Sequence, residues 1–575
     1  MLKPKLLHKK TASRLLLSHL PGLQHLLSYQ LGWLRGDLLA GITVAAYLIP
    51  QCMAYGELAG VQPIAGLWAI LPPLVLYALF GSSRQLSVGP ESTTAVMTAA
   101  AIAPLVGNDP SAHASLASLL ALIVGIICVL GFYIRLSFLA DLLSKPILVG
   151  YMAGVAVIMI VGQLGKISGI PIHAESILGE IQEFVQNLDQ LHWPTLVLAG
   201  CVLGFLLLIQ RRFPNAPGPL LAALLATGAV SLFHLDQQGI AVIGAIPAGL
   251  PSFALPSVSL QQMIYLASAA IGIAIVGYSD NVLTARAFAD RNRYSINPNQ
   301  ELLALGLSNL GNGLMQGFPV SSSGSRTAIG DSLGSKSQAF SLVALVVVIL
   351  VLLFLRPLLA LFPKAALGAI VIYAALRLIE ISEFLRLHRF KLSEVRLALV
   401  TLVGVLATDI LIGVGVAVGL SVVDLFARLA RPHDGILGSV PNLPGLHDIN
   451  DWEGATTIPG LVIYRYDAPL CFANSTNFKQ RALAAIGAEK TPVEWFVLNA
   501  EAIVEIDITA ADMLHELRSE LQDRGITFAM ARVKHDLYLQ LQKAGLIDAI
   551  GHHYFYPTLP TAIAAFQNRE VRPDS

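Results

Sequence analysis

From Leu38 to about residue 430 the chain alternates long apolar runs with short polar turns. Uncharged runs cover Leu38–Gly56, Leu58–Ser83, Ser92–Asn108, Pro110–Ile134 and Pro146–Gly165 in the first part alone, and an α-helix needs roughly 20 such residues to cross a bilayer. Counting this way predicts a polytopic α-helical membrane protein with about fourteen segments. They begin near residues 38, 62, 88, 114, 147, 193, 217, 263, 298, 325, 338, 365, 393 and 410. From Arg431 onward charges are frequent and apolar segments shorten to strand length. The expected division is a cytoplasmic segment 1–37, a transmembrane domain 38–430, a linker 431–455, a smaller domain 456–567 and a tail 568–575.

Two polar interruptions stand out against this background. Gln85-Leu86-Ser87-Val88-Gly89-Pro90-Glu91-Ser92-Thr93-Thr94 breaks the third segment. Gly89 and Pro90 cannot continue a preceding helix, whereas Pro90 suits the first turn of a new one. A helix starting there in mid-membrane leaves its first amides unpaired and its positive dipole end exposed, which attracts an anion. Fourteen segments split into seven plus seven, and an odd repeat inverts the topology of the second half. Its third segment carries the matching break, Gln316-Gly317-Phe318-Pro319-Val320-Ser321-Ser322-Ser323-Gly324-Ser325-Arg326-Thr327. Arg326 is a permanent cation that costs roughly 2.5–3.5 kcal/mol at a helix centre unless it faces water, an acid or a ligand. The plainer reading is a turn between two short helices with Arg326 at the headgroups.

Composition sharpens the class. Of 575 residues, 55% are hydrophobic and 13% charged, and the mean hydropathy is +0.67, outside the range of an ordinary soluble enzyme. Lys3, Lys5, Lys9, Lys10, Arg14 and Arg35 precede the first long run with no acid among them, so the N-terminus is expected to stay cytoplasmic. An even number of segments returns the C-terminus to the same side. Arg84, Arg135, Lys145, Arg211, Arg286, Arg377, Arg386 and Arg428 are then placed mostly on cytoplasmic turns, while the stretches 105–113 and 235–262 hold no lysine or arginine. The balanced net charge says nothing about partners; no nucleic-acid partner is expected. Four cysteines lie far apart and fourteen histidines show no ligand spacing, so neither disulfides nor a metal site is expected. No nucleophile elbow, phosphate-binding loop or dinucleotide fingerprint marks an enzyme or a cofactor.

Pro50-Gln51-Cys52-Met53-Ala54-Tyr55-Gly56, Leu58-Ala59-Gly60, Pro63, Ser87-Val88-Gly89-Pro90 and Ser325-Arg326-Thr327-Ala328 resemble the signatures of the sulfate permease (SulP) anion transporters. The resemblance implies a seven-plus-seven inverted repeat, a core domain that moves against a gate domain, a cytoplasmic STAS domain and a homodimer. It also implies that Gln51 and Tyr55 line the anion pocket, that Gly89, Pro90, Glu91 and Ser92 form one half-helix mouth, and that Ser323, Ser325 and Arg326 form the other. Gln51 and Tyr55 do share a helix face by spacing, although hydrogen bonding between helices accounts for them equally.

Two acids accompany these breaks. Glu91 departs from the neutral residue of many family members. It is read either as the group that takes up a coupling proton with the anion or as a dipole-stabilising acid at a helix start. Asp280 and Thr284 are four apart on the eighth segment. They are similar to the sodium-ligating pair of bicarbonate-carrying members, where hard oxygens suit a hard cation. A salt bridge to Arg326 and a purely structural acid are the other readings of Asp280.

In the tail, Leu461–Tyr466, Trp495–Ala500 and Ile526–Ala531 read as strands. Met513, Leu514, Leu517 and Leu521 lie on one face of a helix between the last two, with Gly525 just past its end, which indicates an α/β domain. Thr509 occupies the phosphorylatable position of related STAS domains; its other reading is an N-cap with Asp512 three residues on. The domain is expected to serve assembly and regulation, with room for a cytoplasmic regulator.

The function expected is secondary active anion transport, with proton-coupled sulfate uptake across the inner membrane as the first reading. Sodium-coupled bicarbonate transport and dicarboxylate transport are the alternatives. An anion channel and a membrane-anchored STAS signalling protein are readings of a different class.

Overall fold

The computed structural model describes residues 20–106, 110–141, 144–172, 174, 176–213, 216–244, 249–256, 259–408 and 410–569. The chain divides into two compact units between Ser421 and Val422.

Fourteen helices carry the first unit and the start of the second: α1 (Leu34–Leu58), α2 (Leu71–Phe80, preceded by a short helix Pro63–Trp68), α3 (Ser92–Val106), α4 (Pro110–Tyr133), α5 (Lys145–Val161), α6 (Trp193–Arg212), α7 (Gly218–Leu232), α8 (Leu260–Arg291), α9 (Pro298–Leu314), α10 (Gly324–Ser332), α11 (Ala339–Phe354), α12 (Lys364–Leu378), α13 (Leu392–Ala407) and α14 (Ile410–Ala430). Among the described residues, seven helical stretches are long and apolar enough to cross a membrane by themselves, from Leu31–Leu58 to Lys364–Phe390. α3 and α10 are short because each starts at one of the two polar breaks. The first helix begins at Leu34 rather than at residue 38. Asp37 looks like the charged end of the run but is buried inside it, where its carboxylate accepts from the backbone N of Lys336 (2.8 Å) and the hydroxyl of Ser337 (2.7 Å).

The helices pack as two bundles. In one, α4 lies on α9 and α8, α1 on α10 and α11, and α9 and α11 on α2; in the other, α5 lies on α13 and α12, and α6 on α12 and α7. Small residues allow these approaches. A Cβ at Gly150 of α5 would collide with the carbonyl of Ala398 on α13. The first bundle also holds a buried carboxylate that no pattern announced. Glu301 of α9 is fully buried and accepts from Tyr77 Oη (2.7 Å), from Ser82 N and Oγ (2.9 and 2.7 Å) and from Asn281 Nδ2 (2.9 Å). Four donors from three parts of the bundle replace the water that the carboxylate loses. The bundles meet where α1 packs on α12 and α7.

The second unit is built on a six-stranded sheet with strand order β4-β3-β5-β6-β7-β8. Its strands are β3 (Asp434–Val440), β4 (Leu443–Asp448), β5 (Leu461–Tyr466), β6 (Trp495–Asn499), β7 (Thr527–Ala531) and β8 (Phe555–Tyr556). Strands β5 to β8 run parallel and are joined by α15 (Ser475–Gly487), α16 (Ile508–Asp523) and α17 (His535–Lys543). Both faces are covered, so β5 is apolar on both sides. Val462 and Tyr464 join the core around Leu514, Leu517 and Leu521 of α16, while Leu461 and Ile463 pack with Phe566 of α18 (Leu559–Gln567). The expected linker 431–455 is not a linker. It holds β3, which pairs antiparallel with β5, and β4, which pairs antiparallel with β3 at the sheet edge. Their few side-chain alternations and the turn at Asn442 hid them in the sequence. Of the expected tail, residues 570–575 lie outside the described residues.

Candidate functional site

The two polar breaks are bonded to each other. Val88–Gly89 (β1) and Ser321–Ser322 (β2) form a two-stranded antiparallel pair, with Val88 opposite Ser322 and Gly89 opposite Ser321. The amide of Ser323 adds a bond to the carbonyl of Ser87 at 2.9 Å, and Ser87 N donates to Thr327 Oγ1 at 3.0 Å. Each break thereby satisfies backbone groups that no lipid or water could. α3 and α10 then start on either side of this crossing. A Cβ at Gly89 would run into Ile70 Cδ1, so glycine lets the crossing form with the Ile70 side chain where it stands.

Arg326, the first-turn residue of α10, is wholly buried behind the crossing. Its Nη1 donates to the carbonyl of Pro90 (2.8 Å) and to Gln51 Oε1 (3.2 Å), and its Nε to Ser87 Oγ (3.3 Å). Nη2 has no hydrogen-bond partner among the described residues and lies 3.4 Å from where a Gly89 Cβ would sit. The guanidinium is thus a brace between α1, the first break and α10, with the two N–H donors of Nη2 in reserve. Gln51 Nε2 donates to Tyr55 Oη at 2.9 Å, so these two side chains share a face of α1 and also carry the bond between helices.

In front of the crossing lies a cavity of about 260 Å³ that reaches Gln51, Tyr55, Glu91, Ser92, Ser323 and Ser325. Asp280 and Thr284 of α8 line it as well. It runs toward the C-terminal end of α12, where Tyr373, Arg377 and Glu380 form the mouth, and a further space of about 210 Å³ shares Tyr47, Ser325, Tyr373 and Arg377 with it. Arg377 lies in the last turn of α12 and not on the turn after it. Its Nη1 lies 3.5 Å from Tyr47 Oη and its guanidinium carbon 5.9 Å from the centre of the Tyr373 ring. Among the described residues Arg377 is the cation that lines this cavity, and Arg326 is not. The sequence signal for it was weak, an arginine one turn after a tyrosine at the end of an apolar run.

The acids take specific positions. Glu91 precedes α3 and folds back on it: Oε1 accepts from Ser92 Oγ and Oε2 from Thr93 N, both at 2.7 Å. The helix starts at Ser92, so Pro90 lies outside it and gives its carbonyl to Arg326. Asp280 does not form the salt bridge to Arg326; Ser322 Oγ donates to its Oδ2 at 3.0 Å instead, because the guanidinium is turned to the far side of the crossing. Ser323 is the N-cap of α10, accepting from the amide of Arg326, and its Oγ lies 3.2 Å from Ser325 Oγ. Among the described residues no cluster of three or more metal-ligating side chains occurs.

In the second unit, Thr509 is not the N-cap of α16. That role belongs to Asp507, whose Oδ1 accepts from Ala510 N at 2.8 Å and whose Oδ2 accepts from Phe472 N at 2.7 Å. Thr509 sits one residue inside the helix with its side chain exposed.

Two broken helices that meet N-terminus to N-terminus over a polar cavity, in halves of inverted topology, define a transporter of the inverted-repeat class. The chain belongs to the sulfate permease family: the family's sequence profile matches residues 34–401, and that of the STAS domain matches residues 454–562. It is 54% identical over 549 residues to a probable sulfate transporter of Mycobacterium tuberculosis, covering 96% of this chain and 98% of that one. It is 31% identical over 548 residues to the chloroplastic sulfate transporter 4.1 of Arabidopsis thaliana, covering 92% and 79%. Among solved structures, the murine anion transporter Slc26a9 in its inward-facing state aligns with a TM-score of 0.88 at 22% identity, over 97% of this chain and 95% of that one. The transmembrane domain of the cyanobacterial bicarbonate transporter BicA aligns at 0.60 and 24% identity, over 68% of this chain and 98% of its own.

Proposed function

We propose that this protein is a secondary active transporter of the cytoplasmic membrane that takes up sulfate with protons by alternating access. The observation that carries this reading is the cavity itself. Ser92, Ser323 and Ser325 line the space, Arg377 stands at its mouth, and Arg326 adds a buried positive charge behind it. A tetrahedral dianion needs several donors and a compensating charge; the serines supply donors, and Arg377 with the field of Arg326 stands against the carboxylates of Glu91, Asp280 and Glu380 in the same wall. The names of its sulfate-transporting relatives favour the same substrate. The likeness to a protein solved facing inward supports reading the mouth as the cytoplasmic one, with both termini on that side and the protein working as a homodimer.

Glu91 is the proposed proton carrier. As a carboxylate it already occupies the Thr93 amide at the start of α3, the place toward which that helix draws an anion. Protonation weakens that hold and removes the repulsion, so proton and anion arrive together. The second reading is sodium-coupled bicarbonate transport, favoured by Asp280 and Thr284 lining the same cavity one turn apart. Initial uptake of labelled sulfate into proteoliposomes, first with an inward proton gradient and then with an inward sodium gradient, separates the two. Bicarbonate and succinate serve as competitors. Proton-driven sulfate uptake is expected; sodium-driven flux with bicarbonate competing best would transfer the function to the second reading, and Asp280→Asn would then abolish it.

A further inference from the structure

At the end of α12 opposite the Arg377 mouth, about 20 Å away by helical rise, one ion pair ties the two bundles together. Lys166 stands on the short helix Leu164–Ser168, which packs on α6 and α12 in one bundle; Glu57 is at the end of α1 in the other. Lys166 Nζ lies 3.4 Å from Glu57 Oε1, with the two side chains 28% and 14% exposed. Behind Lys166 is a second cavity, of about 450 Å³, which it lines together with Glu180, Lys364 and Thr195. Glu180 reaches to within 3.9 Å of where a Cβ on Gly162 would sit, one turn from Lys166. Burial first, and Glu183 beside it second, push the Glu180 carboxyl up from its ordinary value, as happens to an acid short of a counter-charge. Lys364 has no ion pair for its ammonium among the described residues, and its backbone N is fixed on the Ala241 carbonyl at 2.9 Å.

We infer that Lys166 is a two-position latch, paired with Glu57 across the bundles while the Arg377 mouth is open and with Glu180 inside its own bundle when the opposite face opens. Breaking a part-buried pair is costly when it strands a charge. Glu180 in the adjoining cavity removes that cost, and Lys364 lines the same cavity. Glu57, Lys166 and Glu180 are positioning residues that set which face is open. The inference rests on the alternating-access reading above.

The test is the KM for external sulfate in intact cells lacking their own carrier. Glu57→Gln releases the latch and is expected to lower this KM roughly two- to fivefold, the range for a partly exposed pair. Glu180→Gln removes the second position and is expected to raise it by a similar factor. In a Lys166→Gln background neither change has a further effect, because both act through the one ammonium. Shifts in the same direction, or shifts that persist without Lys166, overturn the latch. Hydrogen exchange on the purified full chain gives a readout free of substrate: Glu57→Gln should speed exchange across residues 162–169, and unchanged rates overturn the latch. A wild-type protein that carries no sulfate would instead overturn the transport reading and leave the exchange result to decide the latch.

Discussion

Arg326 and Arg377 divide between them what one cation was expected to do. Arg326 has no accessible surface and spends three of its donors on Pro90, Gln51 and Ser87, so toward the proposed anion it would offer a fixed field through the crossing. Arg377 lines the cavity beside Tyr47 and Tyr373, where the proposed anion would meet it directly. Arg377→Gln should therefore raise the KM for sulfate about fivefold with little change in maximal rate, the effect of a half-screened charge worth about 1 kcal/mol. Uptake kinetics at several ionic strengths check this, since the deficit should shrink as salt rises. Glu301 is placed to hold the bundle together. Glu301→Ala leaves the Tyr77, Ser82 and Asn281 donors unpaired in the bundle interior, at a cost of about 3–5 kcal/mol, and the thermal melting of the purified protein should fall sharply. The acid was visible in the sequence, but its partners come from residues 77, 82 and 281, and only folding reveals that it is satisfied.

At the scale of elements, the breaks were legible because glycine and proline interrupt apolar runs for backbone reasons that act locally. Their pairing was not, because β1 and β2 are two residues each and more than 200 positions apart. The pairing fixes where Glu91 stands. Glu91 precedes α3 at the end of a strand that α10's own break holds in place, so its carboxylate is presented to the cavity and to the Thr93 amide together. Glu91→Gln should make sulfate uptake independent of the proton gradient while leaving exchange of labelled for unlabelled sulfate within about twofold, as expected when a charge is removed but the cap geometry is kept. Proton dependence that survives in this variant would return Glu91 to a capping role. Thr509 shows the reverse case, where local reasoning placed the cap two residues late. Asp507 took it because the same carboxylate also holds Phe472 N on the neighbouring loop.

At the scale of the whole molecule, the second unit has its own core on both faces of its sheet, which predicts independent folding. A fragment of residues 432–569 should be soluble and melt cooperatively. One starting at residue 455 lacks β3 and β4, exposes the β5 edge with its Val462 and Tyr464, and should aggregate. Light scattering and circular dichroism of the two fragments decide it.

The sequence by itself determined the class of this protein, the fourteen helical segments, the inverted halves and the α/β character of the C-terminal unit. Those follow from hydrophobic period and length, which act over one helix or strand at a time. Tertiary structure alone decided that the two breaks pair, that Arg326 faces away from the cavity while Arg377 faces into it, that Asp280 bonds Ser322, and that residues 434–448 complete a sheet. Each of these depends on which side chain a distant segment brings within about 3 Å, and no local pattern records that distance.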